Sequence, residues 1–230
     1  MTPRVSIIVP VLNEAATLGD ALRALAGWRT VCAGGCEVIV VDGGSADAHR
    51  ATCAACAGLT DAVLLAPRGR ARQMNAGAAR AQGQVLLFLH VDTRLPAGAP
   101  AAVEAALQQH AWGRFDVAIA GTSRLLPVIA AFMNLRSRLS GIATGDQAIF
   151  VTRPTFDAVG GFPDQPLMED IEISRRLRRT GPPACLRLRV RTSGRRWDEF
   201  GVWRTTALMW RLRWLYWRGT PAEQLVGLYR

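Results

Sequence analysis

Apolar residues fall in short, mostly unbroken runs along the first part of the chain: "VSIIVPVLN", "CEVIVVDGG", "DAVLLAP" and "VLLFLHVDT". Stretches with helical character, such as "AATLGDALRALAGW" and "RARQMNAGAARAQG", separate them. Runs of Val, Ile and Leu without polar alternation are strands buried on both faces, and their alternation with helices predicts β-α units around a mostly parallel, Rossmann-like sheet. Polar residues gather where these strands end: Asn13 and Glu14, Asp42, Arg70 and Arg72, His90 and Asp92. In an open α/β sheet such ends form the ligand crevice.

Beyond Arg114 the pattern changes. "FDVAIAGTSR" reads as a strand, "LLPVIAAFMNLRSRLSGI" as a helix and "TGDQAIFVTR" as extended. A helix is expected at about Met168 to Arg179, opening with Glu169, Asp170 and Glu172 and closing with four arginines, as the helix dipole favours. "LRLRVRT" alternates apolar residues with arginine and so predicts a half-buried strand with a basic face. The last segment, "GVWRTTALMWRLRWLYWR", places Trp203, Ala207, Trp210, Trp214 and Trp217 on one helical stripe beside Arg204, Arg211 and Arg218. Such a stripe suits a helix lying in an anionic membrane interface, and equally one packed on the preceding domain or on a second subunit.

Length and composition allow one domain with a sizeable core, 230 residues of which half are hydrophobic. The expected division is a domain over 1–197, in two halves that meet at about residue 95, and a helical extension over 198–230. No apolar run has the length of a membrane span, and the N-terminus lacks a signal-peptide layout, so the expected location is cytoplasmic, peripheral on the inner membrane face if the Trp stripe meets lipid. All 28 basic residues are Arg, which fits GC-rich coding better than a binding device. Their placement is more telling: residues 171–230 hold 14 Arg against 4 acids, whereas the first 170 residues balance. Charge alone suggests a nucleic-acid partner, but the basic segment carries no recognised binding motif, and none is expected. Cys32, Cys36, Cys53 and Cys56 have spacings compatible with zinc. The Ala-rich helical setting of Cys53 and Cys56 favours reduced, unpaired thiols instead.

Several residues invite chemistry. Asp42 ends a strand and leads into "GGS", so its carboxylate can reach a base or ribose while Gly43 and Gly44 let backbone approach a ligand. The same Asp can simply make the turn with Ser45 or, like Asp47, cap the next helix. Arg70, Arg72, Gln73 and Asn75 open a helix after the third strand, where guanidinium and free amides can meet phosphate. His90 and Asp92 stand two apart at a strand end, as metal ligands or as a core-edge histidine and a turn residue. Glu169 and Asp170 can be functional carboxylates or mere complements to a helix N-terminus. Asp146 and Gln147 stand before an apolar strand.

Taken together, "IIVPVLNEA", "VIVVDGGSAD", "GRARQMNAGAA", "LLFLHVDT", "GGF" and "MEDIEISRRLRRTG" resemble the nucleotide-sugar glycosyltransferases of family 2, over residues 4 to about 181. "GRARQMNAG", "LHVDT" and "SGRRW" are similar to a small bacterial subgroup with an LHxDT motif. The resemblance implies the GT-A fold and inverting transfer of a hexose from a nucleotide-diphosphate donor, a UDP-sugar by expectation, to an acceptor it leaves unnamed, lipid-linked or membrane-proximal ones included. It implies a nucleotide-binding half over about 1–95 and an acceptor half over about 96–197, with Asp146 and Gln147 on the acceptor side, and it implies that Pro10, Asn13, Glu14, Asp42 and Gly43 frame the nucleoside and that Arg70, Arg72, Gln73 and Asn75 meet phosphate or base. Asp92 matches the last Asp of the family's Asp-x-Asp motif and His90 stands at the first, a departure that shifts the expected ion from Mg2+ toward Mn2+, or takes His90 off the metal. Asp170 matches the base that takes the acceptor proton, with Glu169 orienting the acceptor. A nucleotidyltransferase shares this architecture, but it usually opens with a Gly-rich phosphate loop and a lysine, and this chain has no lysine. A non-catalytic nucleotide-binding protein at a membrane surface would leave the carboxylates Asp92 and Asp170 unexplained.

Overall fold

The structure is a computed structural model that describes residues 4–32, 35–45 and 48–229. Asp47, one of the expected caps, lies outside the described residues. Seven strands form one sheet: β1 (Val5–Val11), β2 (Cys36–Asp42), β3 (Ala62–Leu65), β4 (Val85–Phe88), β5 (Trp112–Ala120), β6 (Phe150–Thr152) and β7 (Ala184–Ser193). Their order is β3-β2-β1-β4-β6-β5-β7. β1 pairs in parallel with β2 and β4, β2 with β3, and β5 with β7, while β6 runs antiparallel to both neighbours. The sheet is therefore mostly parallel, as the uninterrupted apolar runs require.

Alternate residues of each central strand enter opposite layers, the period-2 consequence of the pleat. Ile7, Val9 and Val11 join one core with Leu18, Leu22, Leu25 and Trp28 of α1 (Ala15–Val31). Ile8, Ile39 and Val41 face the other core, packed by Met74 and Ala78 of α3 (Arg70–Arg80). Each such fully buried Ile or Leu contributes about 1.5–3 kcal/mol relative to exposure. On the first face α4 (Ala99–Ala106) and α5 (Leu126–Ser140) follow; α2 (Ala48–Cys56) connects β2 to β3. On the second, α6 (Arg153–Ala158) and α7 (Glu169–Leu177) bury Phe156, Ile173 and Leu177.

"TGDQAIFVTR" is only partly extended. Gly145–Gln147 is a turn of 3-10 helix, and the strand is confined to Phe150–Thr152. The reason is local: Thr144 and Gln147 form a reciprocal capping box, with Gln147 Oε1 accepting from the Thr144 backbone N–H at 3.1 Å.

The chain ends in α8 (Arg195–Phe200), α9 (Val202–Trp217) and α10 (Ala222–Tyr229). Leu212 and Leu225 pack on Leu167, Met168 and Ile171, fixing this helical region against the start of α7. Only Thr205 and Leu212 of α9 are buried. The Trp stripe does not pack on the rest of the described chain: Trp203, Trp210, Trp214 and Trp217 are 77%, 71%, 54% and 71% exposed. Among the described residues no helix is long and apolar enough to cross a membrane. All five cysteines are free. Burial holds the Cys36 thiol up at about 12, so it stays protonated.

Candidate active site

The C-terminal ends of β1, β2 and β4, the start of α3, the 3-10 turn and the start of α7 converge on one side of the sheet. Beyond β4 the chain turns at once, with Thr93 N–H donating to His90 O at 3.0 Å. The loop is pinned to β7: Arg94 and Arg191 exchange backbone hydrogen bonds of 2.8 and 2.9 Å, and Thr93 Oγ1 donates to Thr192 Oγ1 at 3.1 Å. Asp92 is thereby held at the exposed rim with His90 half-buried behind it.

Asp146 completes this group. His90 Nδ1 lies 3.4 Å from Asp146 Oδ1, and ligand atoms of His90, Asp92 and Asp146 all fall within 4.8 Å of one another. Among the described residues these three side chains form a group with the spacing to hold a metal ion. One imidazole and two carboxylates are a mixed nitrogen and oxygen donor set of the kind that can hold a divalent cation. Sequence reasoning gave Asp146 only an acceptor-side role; its distance along the chain hid its place beside His90. Burial and Asp146 raise the Asp92 carboxyl, with His90 and Arg70 acting against them. Burial would also raise Asp146, but the hydrogen bond and charge of His90, with Arg70 and Arg213, hold it below the usual carboxylate range.

Gly145 is the joint of the site. A β-carbon there would collide with the imidazole of His90, so only glycine lets the turn pass this close. Its N–H donates to Asp170 Oδ2 at 3.1 Å, while the Ile171 N–H donates to Asp170 Oδ1 at 2.8 Å. The Asp170 carboxylate is thus aimed from the first turn of α7. Met168, just before, takes the left-handed conformation at φ 65° that lets the chain enter this helix. Glu169 is 5% exposed; burial and Asp170 raise its carboxyl, and Arg70 opposes them. Arg70 sits deep among these groups yet keeps one side open to solvent. Burial disfavours its charge, but Glu169, Tyr229, Asp146 and Asp170 together raise its pKa.

The remaining expected residues lie at or near the ends of β1 and β2 and along α3. Asp42 Oδ1 accepts from the Gly44 and Ser45 N–H groups at 3.1 and 3.0 Å and from Ser45 Oγ at 2.7 Å, so the carboxylate does make the turn. Asn13, at φ 57°, donates its backbone N–H to the same Ser45 Oγ at 2.9 Å, tying the two strand ends together. Pro10 is buried within β1, and Glu14 precedes α1, 3.7 Å from Arg195. Gln73 Nε2 donates to Val11 O and Val41 O at 2.7 and 2.8 Å, and a β-carbon on Gly43 would press on it at 2.9 Å. Asn75 is engaged by both backbone groups of Phe162, and Arg72 pairs with Asp164 at 2.7 Å on the surface. Of the four α3 residues, Arg70 is the one whose charge acts on Asp92, Asp146 and the two α7 carboxylates.

From this cluster a cleft of about 920 Å³ runs between α5 and α9. His90, Asp146, Glu169 and Asp170 line one end, and apolar residues such as Phe132, Leu139 and Trp210 line the rest.

These features define a GT-A fold with its candidate site at the carboxyl ends of the strands. The description "Glycosyl transferase family 2" matches residues 6–161, and the chain belongs to that family. No curated protein matches it in sequence. Among solved structures it is similar to Staphylococcus aureus TarS 1–349 in complex with UDP, at TM-score 0.64 and 17% identity over 83% of this chain and 60% of that one. The same protein in complex with UDP-GlcNAc aligns at TM-score 0.60 and 14% identity, over 83% and 58%. Mannosyltransferase PcManGT from Pyrobaculum calidifontis, in complex with GDP-Man and Mn2+, aligns at TM-score 0.62 and 20% identity, over 83% of this chain and 57% of that one. The chain thus spans about three fifths of these relatives' length.

Proposed function

We propose that the chain transfers a hexose, with inversion, from a nucleoside-diphosphate sugar to an acceptor hydroxyl, and that a UDP-sugar is the donor. The observation that carries this is the meeting of His90 and Asp146 with Arg70 and Asp170 at one end of the cleft, with Asp92 grouped with His90 and Asp146 within 4.8 Å. Pro10, Asn13, Glu14, Asp42 and Gly43 frame the nucleoside, with Gln73 and Asn75 holding the walls and Arg72 at the rim. His90, Asp92 and Asp146 would hold a divalent cation, Mn2+ before Mg2+, which would supply neutralising charge for the diphosphate. Arg70 adds a fixed positive charge beside the same phosphates.

Asp170 takes the proton of the acceptor hydroxyl as its oxygen bonds to the anomeric carbon from the face opposite the diphosphate. The bond from that carbon to the diphosphate oxygen breaks, and its electron pair leaves with the nucleotide. The backbone donors on both Asp170 oxygens fix its direction, the condition for such a base. Glu169, buried behind it, positions Arg70 and the acceptor. The bound nucleotides of TarS and the GDP-Man and Mn2+ of PcManGT support the donor and metal reading. The exposed tryptophans of α9 rest on an anionic membrane surface, which keeps the protein on the cytoplasmic side of its acceptor supply. Titration calorimetry of UDP, GDP and dTDP, each with Mn2+, with Mg2+ and without metal, tests the reading. Metal-dependent binding with UDP and Mn2+ ahead is expected, and failure of every nucleotide to bind would overturn it.

A further inference from the structure

The cleft beyond Asp170 has a composition of its own. Its two long walls present matching faces: Phe132, Met133 and Arg136 from α5, and Met209, Trp210 and Arg213 from α9. α5 is fastened from behind, through Asn134, whose amide bonds both backbone groups of Val117 at 2.8 and 3.0 Å, and through Arg138, 2.6 Å from Asp116. That fastening leaves Val128, Phe132, Leu135 and Leu139 50–79% exposed. Facing them, Trp210 is 71% exposed. A globular surface seldom shows two such apolar helix faces side by side without a ligand or interface.

Within this apolar setting stand two cations. Among the described residues neither Arg136 nor Arg213 has a carboxylate within 4.0 Å or any side-chain hydrogen bond, and both feel Asp170 only at longer range. They also oppose each other: burial, then the charge of Arg213, brings Arg136 down to about 10. Arg136 Nη2, Trp197 Nε1 and Thr206 Oγ1 are buried without partners, and all three residues line the cleft. Paired guanidiniums with unmet donors call for an anion, since buried charges and donors are costly unless partnered.

We propose that the acceptor is a hydroxyl-bearing lipid with a phosphate in its headgroup, its phosphate held by Arg136 and Arg213 and its acyl or prenyl chain laid between α5 and α9. This rests on the reading of Asp170 as the base, which asks for a hydroxyl at that end of the cleft. Charge complementarity selects the anionic headgroup, and the length of apolar wall selects the chain; a free phosphorylated sugar would use only the first. The exposed tryptophans of α9 lie along the route such a lipid takes from a bilayer.

The test is binding without donor or metal, so that it stands or falls apart from the transfer chemistry. Dihexanoyl-phosphatidylglycerol, kept below its micellar concentration, is titrated against the protein and followed by tryptophan fluorescence. Dihexanoyl-phosphatidylcholine and glycerol 3-phosphate are the comparisons, one lacking net charge and the other lacking chains. The phosphatidylglycerol should bind at least about tenfold more tightly than either, a difference of about 1.4 kcal/mol. The double variant Arg136→Gln, Arg213→Gln should lose that preference, whereas Arg187→Gln, Arg189→Gln, which removes the same charge from exposed positions of β7, should keep it. Circular dichroism and thermal denaturation confirm that both are folded; if the first is not, Arg213→Gln alone replaces it. Equal binding of all three compounds, or equal loss in both double variants, would overturn the proposal. Retained binding in Asp92→Ala, with nucleotide affinity lost, would show the lipid site and the donor site failing independently.

Discussion

His90 Nδ1 stands 3.4 Å from Asp146 Oδ1, joining the loop after β4 to the 3-10 turn before β6. The imidazole at the place where the family pattern has its first Asp is therefore not isolated: the second carboxylate comes from elsewhere in the chain. Asp146→Ala should then cost as much metal-dependent nucleotide affinity as Asp92→Ala, at least about tenfold, as the loss of a charged ligand does. His90→Asp should move the preference from Mn2+ toward Mg2+ by making the donor set all oxygen. Calorimetry with each metal reads both effects. Wild-type metal dependence in Asp146→Ala would remove it from the site.

Gly145 lets the turn approach His90, so Gly145→Ala should force the ring aside. Overpacking of this kind costs about 1–3 kcal/mol. Thermal denaturation should show the loss, and metal affinity should fall with it. Adding His90→Ala to Gly145→Ala makes room for the methyl group; stability should return while metal binding does not. No recovery in the double variant would place the strain elsewhere.

Glu169 gives a pH signature. Its folded-state carboxyl is raised by burial and by Asp170, so the penalty for ionising it is absent below the ordinary Glu value and complete above the raised one. Glu169→Gln should therefore raise the melting temperature at about pH 7.5 and hardly change it near pH 4, each kcal/mol being worth about 2–4 °C in a chain of this size. A gain that is the same at both pH values would contradict the assignment of the cost to charge.

The Trp-bearing face of α9 and the basic C-terminal quarter predict reversible binding to vesicles containing phosphatidylglycerol at low salt. High salt should weaken it, because screening at 1 M shortens the range of attraction to about 3 Å. Flotation with neutral vesicles is the control. Absence of binding to anionic vesicles at low salt would leave the tryptophans as a contact for a second copy.

Much of this was legible along the chain. The four apolar runs become β1 to β4 because a strand buried on both faces needs no alternation, and Asn13, Asp42, Arg70 and Asp92 do end up at one edge of the sheet. What periodicity could not show is contact between distant segments. Asp146 follows a glycine in an unremarkable turn, and only the antiparallel return of β6 beside β4 brings it to His90. The double duty of Asp42 in its own turn, and the amides of Gln73 and Asn75 bonding backbone, were open from type and position alone. The cleft was hidden for the same reason: α5 and α9 each show one apolar stripe, and nothing in either says that the two will face each other.

The central claim is tested most directly at Asp170. Asp170→Asn keeps the size of the side chain and an oxygen for one of its two backbone donors, so the variant should fold and bind UDP with Mn2+ as the wild type does. Its rate of UDP release from a UDP-sugar in a single turnover, with water as acceptor until the natural one is in hand, should fall at least about a hundredfold, the lower end of a general base's contribution. Near-native turnover at unchanged nucleotide affinity would contradict the account and take Asp170 out of the reaction.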